Sequence, residues 1–174
     1  RELIKIALNK YGERKYLKFL SLNLKDNLPF ENETFDTIIC NMVLMDFDPI
    51  AKTMREFSRI LKTNGYLIFS ILHPAFSSGK LRKSFSEKIL YKIPHYEISK
   101  YHAEFKKSWK IVGLKNETAY YHRPIEYYVK QLKNSHFLIE ELKEPTFDKE
   151  FVKDKNNFIK FCSEIPPFLI IKAI

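Results

Sequence analysis

The sequence predicts an α/β domain, a sheet whose strands are hidden between helices, and three observations carry that prediction. Two apolar runs, Thr37 to Cys40 and Tyr66 to Leu72, are too short for buried helices. They lack the polar alternation of a strand with one wet face, so they read as strands covered on both sides. Between them Ile50, Met54, Phe57 and Leu61 recur at spacings of four, three and four, which places them on one helical face above the sheet. The chain of 174 residues has the size of one domain, and its hydrophobic content of 45% is ordinary for a globular core.

Taken in order, Arg1 to Tyr11 places Ile4, Leu8 and Tyr11 on one face of a first helix that Gly12 ends. Lys15 to Leu20 reads as a strand, followed by a polar stretch from Ser21 to Asn27. Leu28-Pro29-Phe30 leads through the acidic turn Glu31 to Glu33 into the strand that begins near Phe35-Asp36. Asp48 and Pro49 are suited to the cap and first turn of the central helix. Lys62 falls in its last turn, and Asn64-Gly65 is a turn pair whose glycine is free to take a positive φ.

After Phe76 the pattern changes. Residues 77–118 have no sustained helical period, although Tyr96 to Val112 alternates aromatic and polar residues as one or two strands would. This segment is expected to be an insertion over the strand ends, a lid or a solvated excursion. Pro124 to Ser135 then restores a helical face through Ile125, Tyr128, Val129 and Leu132. Phe137 to Leu142 reads as a strand that Glu144-Pro145 breaks. A charged loop runs on to Asn157, and the last strand, Phe168 to Ala173, follows Pro166-Pro167.

Charge and cysteines narrow the classes. The net charge is +9, and Ser78 to Lys115 carries ten basic residues against three acids, a local surplus of +7. Tyr91, Tyr96, Tyr101, Phe105 and Trp109 interleave with those lysines, a pattern that can grip a single-stranded nucleic acid by stacking and phosphate contact. Cys40 and Cys162 have neither the number nor the spacing of a disulfide framework or a metal site, so both are expected to be reduced core thiols and no metal is expected. No stretch approaches the ~20 apolar residues that cross a bilayer, and a cytoplasmic location without membrane contact is the expectation.

In an open α/β sheet, ligands bind beyond the carboxyl ends of the strands. By that rule the informative positions are Asn23 and Leu24, Asn41 to Asp46, and His73 with Pro74. The order of motifs around them resembles the central part of a class I S-adenosylmethionine-dependent methyltransferase. The residues that carry the resemblance are Leu28-Pro29-Phe30, Phe35-Asp36, the Glu56 to Lys62 string Glu-x-x-Arg-x-Leu-Lys, and Gly65-Tyr66-Leu67. The His73-Pro74-Ala75-Phe76 run and Tyr121-His122-Arg123-Pro124 are similar to a subgroup that methylates small molecules.

The resemblance implies a Rossmann-like mixed sheet with helices on both faces and an antiparallel last strand. It implies S-adenosylmethionine as cofactor and a small-molecule methyl acceptor as partner. Asn23 and Leu24 would meet the adenine, and Asn41, Met42 and Val43 the methionine end. His73, Tyr121 and His122 are the candidate bases or acceptor contacts, needed only where the acceptor must lose a proton. With Gly12, Gly65, Gly79 and Gly113 alone, the family's glycine-rich cofactor loop cannot be written. The expectation is therefore a single domain over 1–174, truncated at its N-terminus and lacking the first strands and that loop. Two alternatives stay open: a nucleic-acid-binding protein or RNA methyltransferase using the basic insertion, and a noncatalytic methyltransferase-like partner subunit. The family usually carries glycine before the strand at Phe137, where this chain has His136, so the geometry of that turn is an open question.

Overall fold

The computed structural model describes residues 2–86, 91–109, 117–153, 155 and 157–174. The elements in order are α1 (Glu2–Tyr11), β1 (Phe35–Asn41), α2 (Ala51–Ile60), β2 (Leu61–Leu72), α3 (Pro74–Ser77), β3 (Lys80–Ser86), β4 (Tyr91–Glu97), β5 (Phe105–Trp109), β6 (Thr118–His122), α4 (Ile125–Asn134), β7 (Ile139–Lys143), α5 (Lys149–Val152), α6 (Asn157–Phe161) and β8 (Phe168–Ala173).

The main sheet has the order β1-β2-β8-β7. Strands β1 and β2 are parallel, joined through α2, and β8 runs antiparallel to both β2 and β7. This is the mixed sheet with an antiparallel last strand that the sequence predicts. Residues Leu67, Phe69 and Ile71 of β2 and Leu169, Ile171 and Ala173 of β8 are buried beneath α2 and α4, with Phe69 against the Tyr128 ring at 6.1 Å. The core is completed by Met54, Phe57 and Ile60 from α2 and Leu132 from α4. The opposite face is covered near β8, where Phe147 meets Phe168, but it is open at β1: Ile39 is 72% exposed. The expectation of cover on both faces thus fails at that edge.

Several local expectations are corrected. Lys15 to Leu20 forms no strand, because β1 is the edge of the sheet and no ladder partner lies beside that segment among the described residues. Helix α2 begins at Ala51 with Ile50 at its cap, not at Asp48-Pro49. The Asp48 carboxylate instead accepts a hydrogen bond of 2.6 Å from the buried Arg123, whose charge requires a partner. Leu61 is already extended and opens β2 rather than closing the helix. At the turn it is Asn64 that takes the positive φ of 64°. Gly65 is needed for room: a Cβ there would stand 2.9 Å from the Lys62 carbonyl oxygen and 3.0 Å from that of Asp36.

The segment 77–118 is strand-rich. A hairpin pairs β3 with β4, and β5 pairs antiparallel with β6. Residues 87–90 and 110–116, among them Lys88, Lys110 and Lys115 of the basic surplus, lie outside the described residues. Hairpin β5–β6 docks on the main body through the Tyr121 amide, which donates to the Met45 carbonyl at 2.7 Å. No helix among the described residues is long and apolar enough to cross a membrane.

Candidate functional site

Because β1 and β2 are parallel, their carboxyl ends arrive at one edge. Ser70 Oγ donates to Asn41 Oδ1 at 2.5 Å, and the Met42 amide donates to the Ser70 carbonyl at 3.0 Å. Met42 then takes a left-handed φ of 57°, turning the chain off the sheet. The loop folds back so that Met45 Sδ accepts from the Leu72 amide at 3.4 Å. Asn41, Met42 and Val43 therefore stand at the edge where ligands of open α/β sheets bind. The Asn41 side-chain oxygen is engaged by Ser70, while Met42 and Val43 pack against the core.

Asn23 and Leu24 reach the same end of the molecule without a strand to carry them. Thr53 Oγ1 donates to the Leu24 carbonyl at 2.7 Å, and Lys25 Nζ donates to the Asp48 carbonyl at 2.8 Å. Asn23 is exposed and its Oδ1 accepts from the Lys25 amide at 3.2 Å, a side-chain-closed turn.

Two cavities meet at this edge with Leu72 in the wall of each. The first, of 200 Å³, is lined by Met42, Met45, Asp46, Leu72, Thr118, Ala119 and Tyr120. The second, of 420 Å³, lies between α3, β4, β5 and the start of β8, with Phe76, Ser77, Tyr96, Lys107, Phe147 and Phe168 among its lining residues. They are joined by a hydrogen bond: Tyr120 Oη, from the first, donates to Ser77 Oγ, in the second, at 2.5 Å.

The three candidate bases are placed very differently. His122 is buried behind Ser77, with Nδ1 3.4 Å from Ser77 Oγ and Nε2 3.0 Å from the Tyr101 carbonyl. The Tyr101 carbonyl can only accept, so Nε2 carries the proton and Nδ1 is the acceptor. Burial, opposed by the Tyr101 bond and aided by the Lys107 charge, holds its pKa below the usual imidazole value. His73 is buried and caps α3: its Nδ1 accepts from the Ala75 amide at 3.2 Å, which leaves Nε2 to donate to Glu144 at 2.6 Å. Both of its ring nitrogens are engaged, and it lines neither cavity. Tyr121 points away from both, into a 210 Å³ hollow with Asp48, His122 and Arg123. Of the three, the fold brings only His122 to the paired cavities, and only through Ser77.

Sequence reasoning missed Tyr120, Ser77 and Lys107. The signal for Tyr120 was present: in a strand, residues 118, 120 and 122 share a face, so choosing His122 implied Tyr120 rather than Tyr121. Cys40 is the penultimate residue of β1, but burial and the nearby Asp46 push its thiol up to about 12, which removes it as a nucleophile near neutral pH. No cluster of metal-ligating side chains exists among the described residues.

A family model described as a methyltransferase domain matches residues 1–69. A solved S-adenosylmethionine-dependent methyltransferase from Mesorhizobium loti superposes on 99% of this chain and 76% of its own, with a TM-score of 0.77 and 18% identity. A Listeria monocytogenes structure assigned to the same class gives 99%, 75%, 0.77 and 21%. The chain carries the class I S-adenosylmethionine-dependent methyltransferase fold. It spans about three quarters of the length of those two structures. A Haloferax volcanii protein assigned as a methyltransferase, solved with the activator Trm112, has a TM-score of 0.62 at 15% identity over 99% of this chain and 67% of its own. No curated protein matches the sequence.

The cofactor of a methyltransferase domain of this class is S-adenosylmethionine, and the residues at the strand edge fit its reactive end. A sulfonium is a cation, and the smaller cavity sets one carboxylate, Asp46, and one electron-rich ring, Tyr120, in otherwise mainly apolar surroundings. Burial raises the Asp46 pKa, as expected of a carboxylate that a neighbouring cation would stabilise. The glycines among the described residues stand elsewhere: Gly65 is at the opposite end of β2, Gly12 ends α1 and Gly79 borders the larger cavity. The backbone cradle that a glycine-rich loop provides is therefore not formed by the described residues.

Proposed function

We propose that this methyltransferase domain acts on a small-molecule acceptor held in the 420 Å³ cavity, with the methyl donor on the other side of Leu72. The observation that carries this reading is the pair of cavities at the carboxyl ends of β1 and β2, separated by Leu72 and linked by the Tyr120–Ser77 hydrogen bond. Bound S-adenosylmethionine supplies an electrophilic methyl carbon: the acceptor's lone pair forms the new bond, and the carbon–sulfur pair returns to sulfur. The protein's part is to hold the acceptor in line and keep water out, which can supply much of the rate. Asp46 and Tyr120 hold the cationic end of the donor, Asn41 to Val43 form the adjoining edge, and Asn23 with Leu24 lie on the adenine side. His122 orients Ser77, and His73 fixes the start of α3 beneath the acceptor.

The cavity volume falls within the range of small-molecule sites. The rings offered for base stacking have other employment: Tyr96 packs between Phe76 and Phe161, Phe105 stacks on His122 at 4.7 Å, and Tyr101 Oη accepts from the Ile125 amide. These contacts favour a small acceptor over a nucleic acid. The side chains of Tyr91 and Trp109 lie outside the described residues.

A thermal melt with S-adenosylhomocysteine tests the reading. Saturation at a hundredfold over Kd adds about 2.7 kcal/mol, so Tm is expected to rise by roughly 5 °C or more for a chain of this size. No rise at any concentration overturns donor binding by these 174 residues. Binding of a single-stranded oligonucleotide that weakens steeply with salt, without response to small acceptors, overturns the choice of acceptor.

A further inference from the structure

Ser77 lines the larger cavity, and its hydroxyl is built into a chain of hydrogen bonds that begins in the smaller one. Tyr120, in the wall of the smaller cavity, donates from Oη to Ser77 Oγ at 2.5 Å. The Ser77 hydrogen has two acceptors within reach, the Pro74 carbonyl at 3.3 Å and His122 Nδ1 at 3.4 Å. Rotation about the Cβ–Oγ bond hands it from one to the other. Behind Ser77 the His122 ring is fixed twice: Phe105 stacks on it at 4.7 Å, and Nε2 donates to the Tyr101 carbonyl at 3.0 Å. That leaves Nδ1 as the acceptor facing Ser77. A hydroxyl, an imidazole behind it and a carbonyl that orients the imidazole are the parts of a base relay.

We infer that the larger cavity takes a planar, apolar acceptor bearing a neutral, phenol-type hydroxyl, and that Ser77 relays the proton of that hydroxyl to His122. This rests on the methyl-transfer reading and names the acceptor class for it. A serine oxygen has two lone pairs. Tyr120 occupies one on Ser77, and the other is the place for a donor from the cavity. The walls are rings, with Phe76 edge-on to Tyr96 at 5.6 Å and Phe147 against Phe168 at 6.1 Å, and rings suit a planar apolar body by offset or edge contact.

The relay selects the reacting atom. An amine attacks with a lone pair it already has, whereas a hydroxyl needs its proton taken, so a built base points to oxygen. A phenol lies closer to imidazole in proton affinity than an alkyl alcohol does. In the step itself, the acceptor oxygen bonds to the methyl carbon as the carbon–sulfur pair returns to sulfur. The acceptor proton passes to Ser77 Oγ while the Ser77 proton passes to His122 Nδ1. Ser77 ends as it began, and His122 holds one proton more until solvent takes it after the methyl ether leaves. Burial keeps His122 in the neutral form that this requires.

Calorimetry with 1-naphthol and 1-methoxynaphthalene, without cofactor, reads the contact at Ser77. The naphthol is expected to bind at least about fivefold tighter, the scale of one hydrogen bond, because the ether has no hydrogen to give. Ser77→Ala is expected to remove the difference and leave the ether nearly unchanged. Retained ether binding reports that the variant is folded; should it not fold, the order in the unaltered protein decides alone. The relay is read with 4-nitrophenol, whose anion is yellow. At a pH where the free phenol is mainly neutral, the bound phenol is expected to absorb as the anion with no net proton released to buffer. His122→Gln is expected to lose that absorbance while still binding 1-naphthol; should it not fold, the proton count in the unaltered protein decides. Equal affinity for the naphthol and its ether, a bound 4-nitrophenol that stays neutral, or an anion whose proton goes to buffer overturns the inference. A parallel titration with S-adenosylhomocysteine separates the two readings. Naphthol preference without its binding sinks methyl transfer and upholds the relay, whereas its binding without naphthol preference sinks the relay alone.

Discussion

Glu56 and Arg59 show what a Glu-x-x-Arg string does in α2. Three positions apart on a helix, the two side chains are neighbours, and Arg59 bonds both Glu56 oxygens at 3.0 and 2.8 Å. The pair then clasps the preceding loop: Glu56 Oε2 accepts from the Leu28 amide at 2.8 Å, and Arg59 donates to the carbonyls of Phe30 and Leu28. Leu28-Pro29-Phe30 and Glu56 to Arg59, which the sequence shows as two separate motifs, are thus one latch. The Arg59 hydrogen bond is the main reason the Glu56 carboxyl falls to about 2, with the Leu28 amide adding to it. A carboxylate whose folded pKa is depressed stabilises above its unfolded value and loses that contribution as pH falls toward the folded one. Glu56→Gln is therefore expected to cost about 2 kcal/mol near neutral pH, the scale of charged hydrogen bonds lost from a part-buried site. Urea denaturation of both proteins checks this, and the gap should narrow as the pH drops below 4.5 toward 2. A gap that is constant across that range would assign the loss to packing instead.

At the scale of elements, the junction of α4 and β7 is the most informative. The helix ends with the Phe137 amide donating to the Leu132 carbonyl at 3.0 Å and the His136 amide to that of Lys133 at 3.1 Å. This is a Schellman cap, which requires a left-handed residue between them, and His136 has φ of 64°. The turn keeps the geometry a glycine would give and forces a side chain into it. His136→Gly is expected to raise stability by roughly 0.5–1 kcal/mol, the left-handed penalty less the added freedom of glycine in the unfolded chain. A denaturation midpoint that fails to rise would mean that the exposed imidazole makes a compensating contact. Legibility in the sequence followed the same physics. The faces of α2 and α4 and the strands β2 and β8 were readable because burial imposes a period on local sequence. Lys15 to Leu20 carries a strand-like pattern of Tyr16, Leu17, Phe19 and Leu20, but a strand is a relation to a neighbour, and its pattern alone cannot supply the partner. Asp48 misled for a related reason: a cap and a counter-ion are the same residue type, and only the fold brings Arg123, 75 residues later, to its side. Of the proposed site, the positions legible in the sequence were Asn41 to Val43, because they follow from where β1 ends. Ser77 and Lys107 were not legible, because α3 and β5 bring them together across 30 residues.

For the molecule as a whole, the parallel pair β1–β2 sets the edge at which the proposed site lies, and the β5–β6 hairpin closes that edge by docking Tyr121 on Met45. Closure leaves Asp46 in the smaller cavity, where partial desolvation raises its pKa without an opposing cause. A carboxylate in that state costs the free protein stability, since ionisation is harder in the folded chain than in the unfolded one. Under the proposed function its position has a use: a cationic sulfur beside Asp46 and the Tyr120 ring would recover the lost solvation. S-adenosylmethionine and S-adenosylhomocysteine differ in that charge and in one methyl group, so they isolate the effect. Asp46→Asn is expected to weaken S-adenosylmethionine about fivefold, roughly 1 kcal/mol for a part-exposed charge contact, while changing S-adenosylhomocysteine less than about twofold. The same substitution should leave the melting temperature of the free protein unchanged or slightly higher. Calorimetry with both ligands and a melt of the free variant measure all three. Equal losses for the two ligands would show that Asp46 reads the parts they share, the adenosine or the amino-acid group, and would move the sulfonium away from the Tyr120 wall.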